Sequence, residues 1–154
     1  MTPEPWTALQ IVMMPRDANP LPTLTPGIGQ NVMYSTIFGG VILSYIDMAG
    51  SIGASREIAV QGGREGLAYV TVAVNRVEFK KPVLVGDVVR FMTHCVRIGR
   101  TSITMHINVE AVRGRETHAV TEAEIVYVGI DPTTEERRPV PLLPGALKLA
   151  SVEP

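Results

Sequence analysis

Asp47 has the most chemistry to offer. It stands in Ile42-Leu43-Ser44-Tyr45-Ile46-Asp47-Met48-Ala49-Gly50, an otherwise almost wholly apolar run. A carboxylate is seldom buried without a partner, because desolvation costs several kcal/mol. Burial would make Asp47 more basic and suit it to act as a general base or a nucleophile. Otherwise it lies on one wet strip of its element or caps a nearby amide. Phe38-Gly39-Gly40 comes shortly before it. Two glycines at a helix start let another group approach closely and leave backbone N–H groups pointing outward. Such a terminus can stabilise an oxyanion or a phosphate. A loop that needs glycine flexibility gives the same pattern.

Other reactive side chains say less. A hairpin centred near Arg100 puts His94 and His106 almost opposite each other, with His118 further on. No carboxylate stands at ligand spacing, so strand-surface histidines are expected and no metal site. Cys95 lies in a strand without a basic neighbour signature, so a buried, inert thiol is expected rather than a nucleophile. The chain has no Gly-x-Ser-x-Gly elbow, Walker loop or dinucleotide-binding glycine motif. Basic residues pair at Lys80-Lys81, Arg113 with Arg115, Arg137-Arg138, and Arg97 with Arg100. Most read as solvated strand ends, although arginine is well suited to an anionic ligand's phosphates.

The elements that must position these residues follow from proline and periodicity. Proline breaks helices and central strands. Only Pro82 lies between Pro26 and Pro132, so the regular core is expected over about 27–131. One further strand is expected at Thr7 to Met13, an irregular loop over 20–35, and an extended tail over 132–154 with one short helical turn. Ile42, Tyr45, Ile46, Ala49 and Ile52 follow helical spacing, which predicts a helix from about Gly39 to Ile58. Val41, Leu43, Met48 and Ala54 cover most of its other faces, so the helix is expected to be buried. Gly62-Gly63 ends it. Four strands follow: Tyr69 to Phe79, with Val70, Val72 and Val74 alternating; Asp87 to Ile98; Thr101 to Val112; and His118 to Ile130. Short turns at Gly99-Arg100 and Arg113-Gly114-Arg115 imply an antiparallel meander. The fold class is α+β: one long central helix wrapped by an antiparallel β-sheet.

Composition bounds the function. The 154 residues carry 14 Lys and Arg against 15 Asp and Glu, for a net charge of −1. That length suits one domain, and the balance excludes a strongly basic nucleic-acid binder. The longest apolar stretch, Ile37 to Ile46, falls far short of the roughly 20 residues of a membrane span. No signal-peptide pattern opens the chain. A cytoplasmic protein with neither nucleic-acid nor membrane partners is the default. The single cysteine excludes an intramolecular disulfide framework and fits a reducing compartment.

Several segments in order resemble the hotdog-fold acyl-CoA thioesterases of the YciA-like, cytosolic acyl-CoA hydrolase type, from about Val12 to Pro141. Met14-Pro15-Arg16-Asp17-Ala18-Asn19-Pro20 is similar to the opening motif. Thr36-Ile37-Phe38-Gly39-Gly40 and Tyr45-Ile46-Asp47-Met48-Ala49-Gly50 resemble the start and catalytic turn of the central helix. Phe79-Lys80-Lys81-Pro82-Val83 and Val85-Gly86-Asp87-Val88-Val89 continue the match. Ile98-Gly99-Arg100-Thr101-Ser102-Ile103-Thr104 is similar to the family's Val-Gly-Arg-Thr-Ser element. Thr121-Glu122-Ala123, Tyr127-Val128 and Arg138-Pro139-Val140-Pro141 complete it.

The resemblance implies a function and a site. Asp47 would activate water or attack the thioester, Asn19 would position substrate or water, and the Gly40 region would bind the oxyanion. Phe38 and Gly39 would line the substrate site. Arg100, Thr101 and Ser102 would contact coenzyme A. No cofactor is implied, coenzyme A being part of the substrate. The site would form between two protomers, with further assembly as a trimer of dimers. The chain departs from the family pattern at Leu21 to Tyr34, an insertion after Asn19, and at Ser35, where a glycine is expected. Asn31 is a rival to Asn19, one position out of step. The insertion could form a lid or lengthen the acyl tunnel and so alter substrate selectivity. A non-catalytic acyl-CoA-binding regulatory module is the alternative function. A hotdog dehydratase fits less well, because no histidine precedes the helix. A barrel carrying an apolar ligand is opposed by a central helix bearing Asp47.

Overall fold

Hydrophobic spacing in the longest apolar run produces the helix on which everything else is hung. In the computed structural model, which describes residues 4–19 and 35–145, helix α1 spans Gly39–Val60. Ile42, Ile46, Ala49, Gly50, Gly53, Ala54 and Ile58 are buried along it. Their steps of three and four residues make one apolar stripe. A fully buried isoleucine contributes roughly 1.5–3 kcal/mol, so this stripe fixes the helix on its sheet. The helix ends at Gln61, and Gly62 follows with φ 72°, the left-handed conformation that glycine adopts at no steric cost.

The expectation of a helix buried on every side is corrected. Leu43, Met48 and Asp47 lie exposed on the face turned away from the sheet. A five-stranded sheet covers one side of a helix, and this chain supplies no second layer among its described residues.

The strands are β1 (Trp6–Val12), β2 (Ala68–Phe79), β3 (Val88–Ile98), β4 (Ser102–Arg113) and β5 (Glu116–Ile130). All pairings are antiparallel, in the order β1-β3-β4-β5-β2. Strict alternation along β4 turns Ile103, Met105, Ile107, Val109 and Ala111 into the core. Between them, Thr104, His106, Asn108 and Glu110 face the other side.

A continuous meander from β2 to β5 is also corrected. β3, β4 and β5 form one, but β2 pairs with β5, from Ala68 opposite Ile130 to Phe79 opposite Thr121. The connection after Phe79 does not turn back. It passes the start of α1, where Ile37 N–H bonds Val83 O at 2.8 Å and Val85 N–H bonds Ser35 O at 3.1 Å. It then enters β3 beside β1. Asp87 pins that entry: it is 2% exposed and accepts from Arg113 Nε at 2.9 Å and Nη2 at 2.8 Å, and from the Leu84 N–H at 2.9 Å.

Beyond β5 the chain runs as an extended strap. Ile130 bridges Pro139, and Val140 N–H bonds Gly129 O at 2.9 Å. Leu142 is fully buried and closes the strap onto the Gly63-Arg64 turn through the Arg64 N–H at 3.0 Å. The helical turn expected in the tail does not occur over 132–145, and residues 146–154 lie outside the described residues.

Candidate active site

Asp47 sits in the middle of α1, opposite the junction of β2 and β5. Two side chains reach it. Thr71 Oγ1 donates to Asp47 Oδ1 at 2.5 Å, and the Tyr127 hydroxyl donates to the Asp47 main-chain carbonyl at 2.8 Å. Thr71 and Tyr127 are direct cross-strand partners. Burial, then the Asp47 charge, pushes the Tyr127 phenol far above its ordinary range, so it stays a protonated donor. Gly50 makes the phenol's approach possible. A Cβ there would lie 2.0 Å from the Tyr127 oxygen.

Of the two placements left open for Asp47, burial is not seen in the single chain: Asp47 is exposed, as are its helix neighbours Leu43 and Met48. The wet-strip placement is the one found. The alternating Val70, Val72 and Val74 are exposed too, and the intervening Thr71 turns toward the helix.

A second group gathers at the start of α1. A 3-10 turn, Pro15–Asp17, is closed by the Met14 N–H on Asp17 Oδ2 at 2.9 Å. It delivers Asn19 beside Thr36, whose carbonyl accepts the Asn19 N–H at 2.8 Å. Phe38 N–H bonds Asp17 O at 3.0 Å. Phe38 precedes the helix in extended conformation and offers no side-chain cap. The first-turn N–H groups at Gly39 and Gly40 receive no cap from the Phe38 side chain, and helix-start N–H groups of this kind can meet a developing negative charge. A cavity of about 350 Å³ opens at this end, lined by Gly39, Ile42, Phe79, Lys80 and Lys81 among others.

One chain does not unite the two groups. Gly40 and Asp47 are seven residues apart on one helix, roughly 10 Å at 1.5 Å rise per residue. A carbonyl carbon and its oxygen are only about 1.2 Å apart. The roughly 10 Å span is longer than any single direct contact, so a thioester held at Gly40 is not in direct contact with the Asp47 backbone of the same helix.

Arg100 and Thr101 lie in the β3–β4 turn and Ser102 opens β4. Their carbonyls accept from Leu142, Gly129 and Gly99 respectively, at 3.0, 3.0 and 2.7 Å. Ser102 pairs with Val128, one residue from the row in which Ile103 meets Tyr127. The turn thus lies one residue from the row of Tyr127, the strand residue that meets Asp47. Asn31 and the 20–34 stretch lie outside the described residues.

Thr71 and Tyr127 are the site residues that sequence reasoning passed over. Thr71 gave one signal, a polar residue between valines.

The histidines take the expected positions. His94 pairs with His106, ring centroids 4.9 Å apart, and burial followed by its neighbour holds His94 below the usual imidazole range. His118 lies beside Glu116. No group of three candidate metal ligands occurs among the described residues. Cys95 is half-buried, a less complete burial than expected; that burial, then Glu57, pushes its thiol up.

Residues 34–118 match the family described as the thioesterase superfamily. The acyl-CoA thioester hydrolase YciA of Salmonella typhimurium is 35% identical over 146 residues, covering 92% of this chain and 94% of that protein. The chain belongs to the thioesterase superfamily. Solved hotdog structures agree. A hexameric hotdog-fold thioesterase of Campylobacter jejuni superposes with a TM-score of 0.70 at 32% identity, covering 94% of this chain and 95% of that one. A hexameric thioesterase of Yersinia pestis gives a TM-score of 0.68 at 31% identity, over 91% and 97%. The long helix on a five-stranded antiparallel sheet is therefore a hotdog fold. No helix among the described residues is long and apolar enough to cross a membrane.

Proposed function

We propose that this chain hydrolyses acyl-CoA thioesters at a site shared by two copies, with Asp47 from one copy facing Asn19 and Gly40 of the other. The observation that carries this reading is the spacing along α1. The carboxylate and the helix start stand roughly 10 Å apart along one helix, which favours a thioester held between Asp47 of one copy and the helix start of another. The exposed apolar side chains around Asp47 offer a second copy a face to cover. The edge strand β2 lies alongside, with Val70, Val72 and Val74 exposed.

The chemistry follows. As a base, Asp47 takes a proton from water. The hydroxide adds to the thioester carbon, and the oxygen's new charge rests on the N–H groups at Gly40. Collapse of the adduct expels the coenzyme A thiolate, which recovers the proton from Asp47. As a nucleophile, Asp47 instead displaces the thiolate to form an anhydride that water cleaves. Asn19 orients the water or the substrate. Phe38 and Gly39 line the acyl group. Arg100, Thr101 and Ser102 meet coenzyme A. The active unit is a dimer, three of which group into a trimer of dimers, a reading supported by relatives described as hexameric; it works in the cytoplasm without a cofactor.

The test is thiol release from a panel of short to long acyl-CoAs, comparing wild type with Asp47→Ala of confirmed oligomer size. Loss of turnover in the variant supports the reading. Binding without turnover in wild type would replace it with a regulatory acyl-CoA-binding module.

A further inference from the structure

We infer that Leu142 is a positioning residue for the coenzyme A end of the site. It anchors the C-terminal strap, and the strap holds the turn at Arg100 and Thr101 in the shape that meets coenzyme A. The inference rests on the acyl-CoA hydrolase reading, in which that turn contacts coenzyme A, and adds a residue to it.

The turn supplies the first argument. Carbonyls in a turn lack the ladder partners of a strand and must find others. The Arg100 carbonyl accepts from the Leu142 N–H and the Thr101 carbonyl from the Gly129 N–H, each at 3.0 Å. Neither donor belongs to β3 or β4. Two of the three residues assigned to coenzyme A are thus held by main-chain groups from the end of β5 and the strap beyond it. The Leu142 carbonyl in turn accepts the Arg64 N–H at 3.0 Å, so the same residue ties the turn to the segment that follows α1.

Burial is the second argument. Leu142 is fully buried, whereas Arg100 is exposed. Two glycines leave room for the leucine. A Cβ at Gly129 would lie 2.4 Å from Leu142 Cδ2, and one at Gly63 would lie 2.6 Å from the Leu142 carbonyl oxygen. Glycine inside a strand has no side chain to pack and often marks the close approach of another group. At Gly129 that group is the Leu142 side chain. An exposed turn is therefore set in place by a side chain locked into the core.

The course of the strap is the third argument. Pro132, Pro139, Pro141 and Pro144 punctuate it. Proline fixes φ and has no N–H, so this segment is stiff and unsuited to be a central strand. It retains the N–H groups of Val140 and Leu142, which bond the carbonyls of Gly129 and Arg100 at 2.9 and 3.0 Å. Arg137 takes φ 46°, the left-handed region that a residue with a Cβ seldom enters. Such a conformation persists where the surrounding structure imposes it. Two residues later the strap bridges Ile130 through Pro139. The Arg64 side chain on Asp131 fixes the other end of the same segment.

The test compares one acyl group on two carriers, coenzyme A and N-acetylcysteamine, whose thioester lacks the nucleotide. kcat and KM for thiol release are measured for wild type, Leu142→Ala, Leu142→Met, Arg100→Ala and the Arg100→Ala/Leu142→Ala double, each of confirmed oligomer size and circular dichroism. Leu142→Ala is expected to raise KM for the acyl-CoA on the order of 10-fold, the scale of one hydrogen bond to a charged group. Its kcat, and its kcat/KM for the N-acetylcysteamine ester, stay close to wild type. Leu142→Met keeps the side-chain volume and returns KM toward wild type. Arg100→Ala raises KM for the acyl-CoA in the same way, and Leu142→Ala adds little to it. Gly129→Ala, which sets a methyl against Leu142, is the second displacement should Leu142→Ala fail to fold. The inference is overturned if Arg100→Ala raises KM for the acyl-CoA while the Leu142 and Gly129 variants do not. It is equally overturned if Leu142→Ala impairs both esters alike, the mark of a purely structural loss. An Arg100→Ala protein with wild-type KM for the acyl-CoA would remove coenzyme A from the turn, and the inference would fall with that reading.

Discussion

The Tyr127 hydroxyl meets the main-chain carbonyl of Asp47 through the space left by Gly50. This contact joins the longest strand to the middle of the helix, at the residue with the most chemistry. Tyr127 is fully buried. Tyr127→Phe removes one hydrogen bond and leaves a buried carbonyl with one partner fewer. The expected cost is about 1 kcal/mol, read as a lower urea midpoint at unchanged slope, with a fall in kcat because the helix turn bearing Asp47 loosens. Gly50→Ala places a methyl 2.0 Å from the phenol oxygen and must displace it. It should cost about 1–3 kcal/mol and lower thiol release more than the phenylalanine does. An alanine variant as stable and active as wild type would show that the contact is incidental.

The buried Asp87–Arg113 pair sets an acid limit on stability. Burial alone would raise the Asp87 carboxyl. Hydrogen bonds from Arg113 and from the Leu84 N–H outweigh that and hold it below the usual carboxylate range. The folded state therefore binds this proton less readily than the unfolded chain. The stabilisation is fully present above the unfolded value of about 3.9, and is lost as pH falls through the lower folded value. Arg113→Ala should cost about 2 kcal/mol near neutral pH, less than a fully buried pair because the guanidinium is 40% exposed. Melting temperatures of wild type and variant should converge below about pH 4. A constant difference from pH 7 to 3 would refute the electrostatic account.

Much of this was legible in the sequence, for identifiable reasons. The helix showed because Ile42, Ile46, Ala49 and Ile58 repeat at helical spacing, and β4 because Ile103, Met105, Ile107 and Val109 alternate. Both patterns are local. The partner of β2 was not legible, since the choice between β3 and β5 depends on where the Lys80–Asp87 connection travels. The exposure of Leu43 and Met48 was hidden for another reason. A helix apolar all round looks the same whether its second face meets this chain or another. Thr71 escaped notice because Val70-Thr71-Val72 reads equally well in either phase, and the valines carried the hydrophobic signal.

That second face gives a prediction about assembly. Met48 is 49% exposed and follows Asp47 on the helix. If a second copy covers it, Met48→Glu buries an unpaired charge at the interface, which disfavours association strongly. Light scattering should show smaller species than wild type, with activity falling alongside while the circular dichroism of the chain is retained. Unchanged assembly would place the interface elsewhere.

The spacing along α1 makes the sharpest prediction. If each site combines Asp47 of one copy with Asn19 and Gly40 of another, Asn19→Ala and Asp47→Ala inactivate by damaging opposite halves. Co-expression of the two variants would then form mixed dimers. In each mixed dimer one site carries both lesions and the other carries none. Random mixing makes half of the dimers mixed, and each holds one intact site of two. About a quarter of wild-type thiol release should therefore return, from two proteins that are each nearly inactive alone. Tandem affinity purification of differently tagged copies isolates the mixed species, whose activity should approach half of wild type. No recovery in the isolated mixed dimer would put Asp47 and Asn19 in the same copy's site.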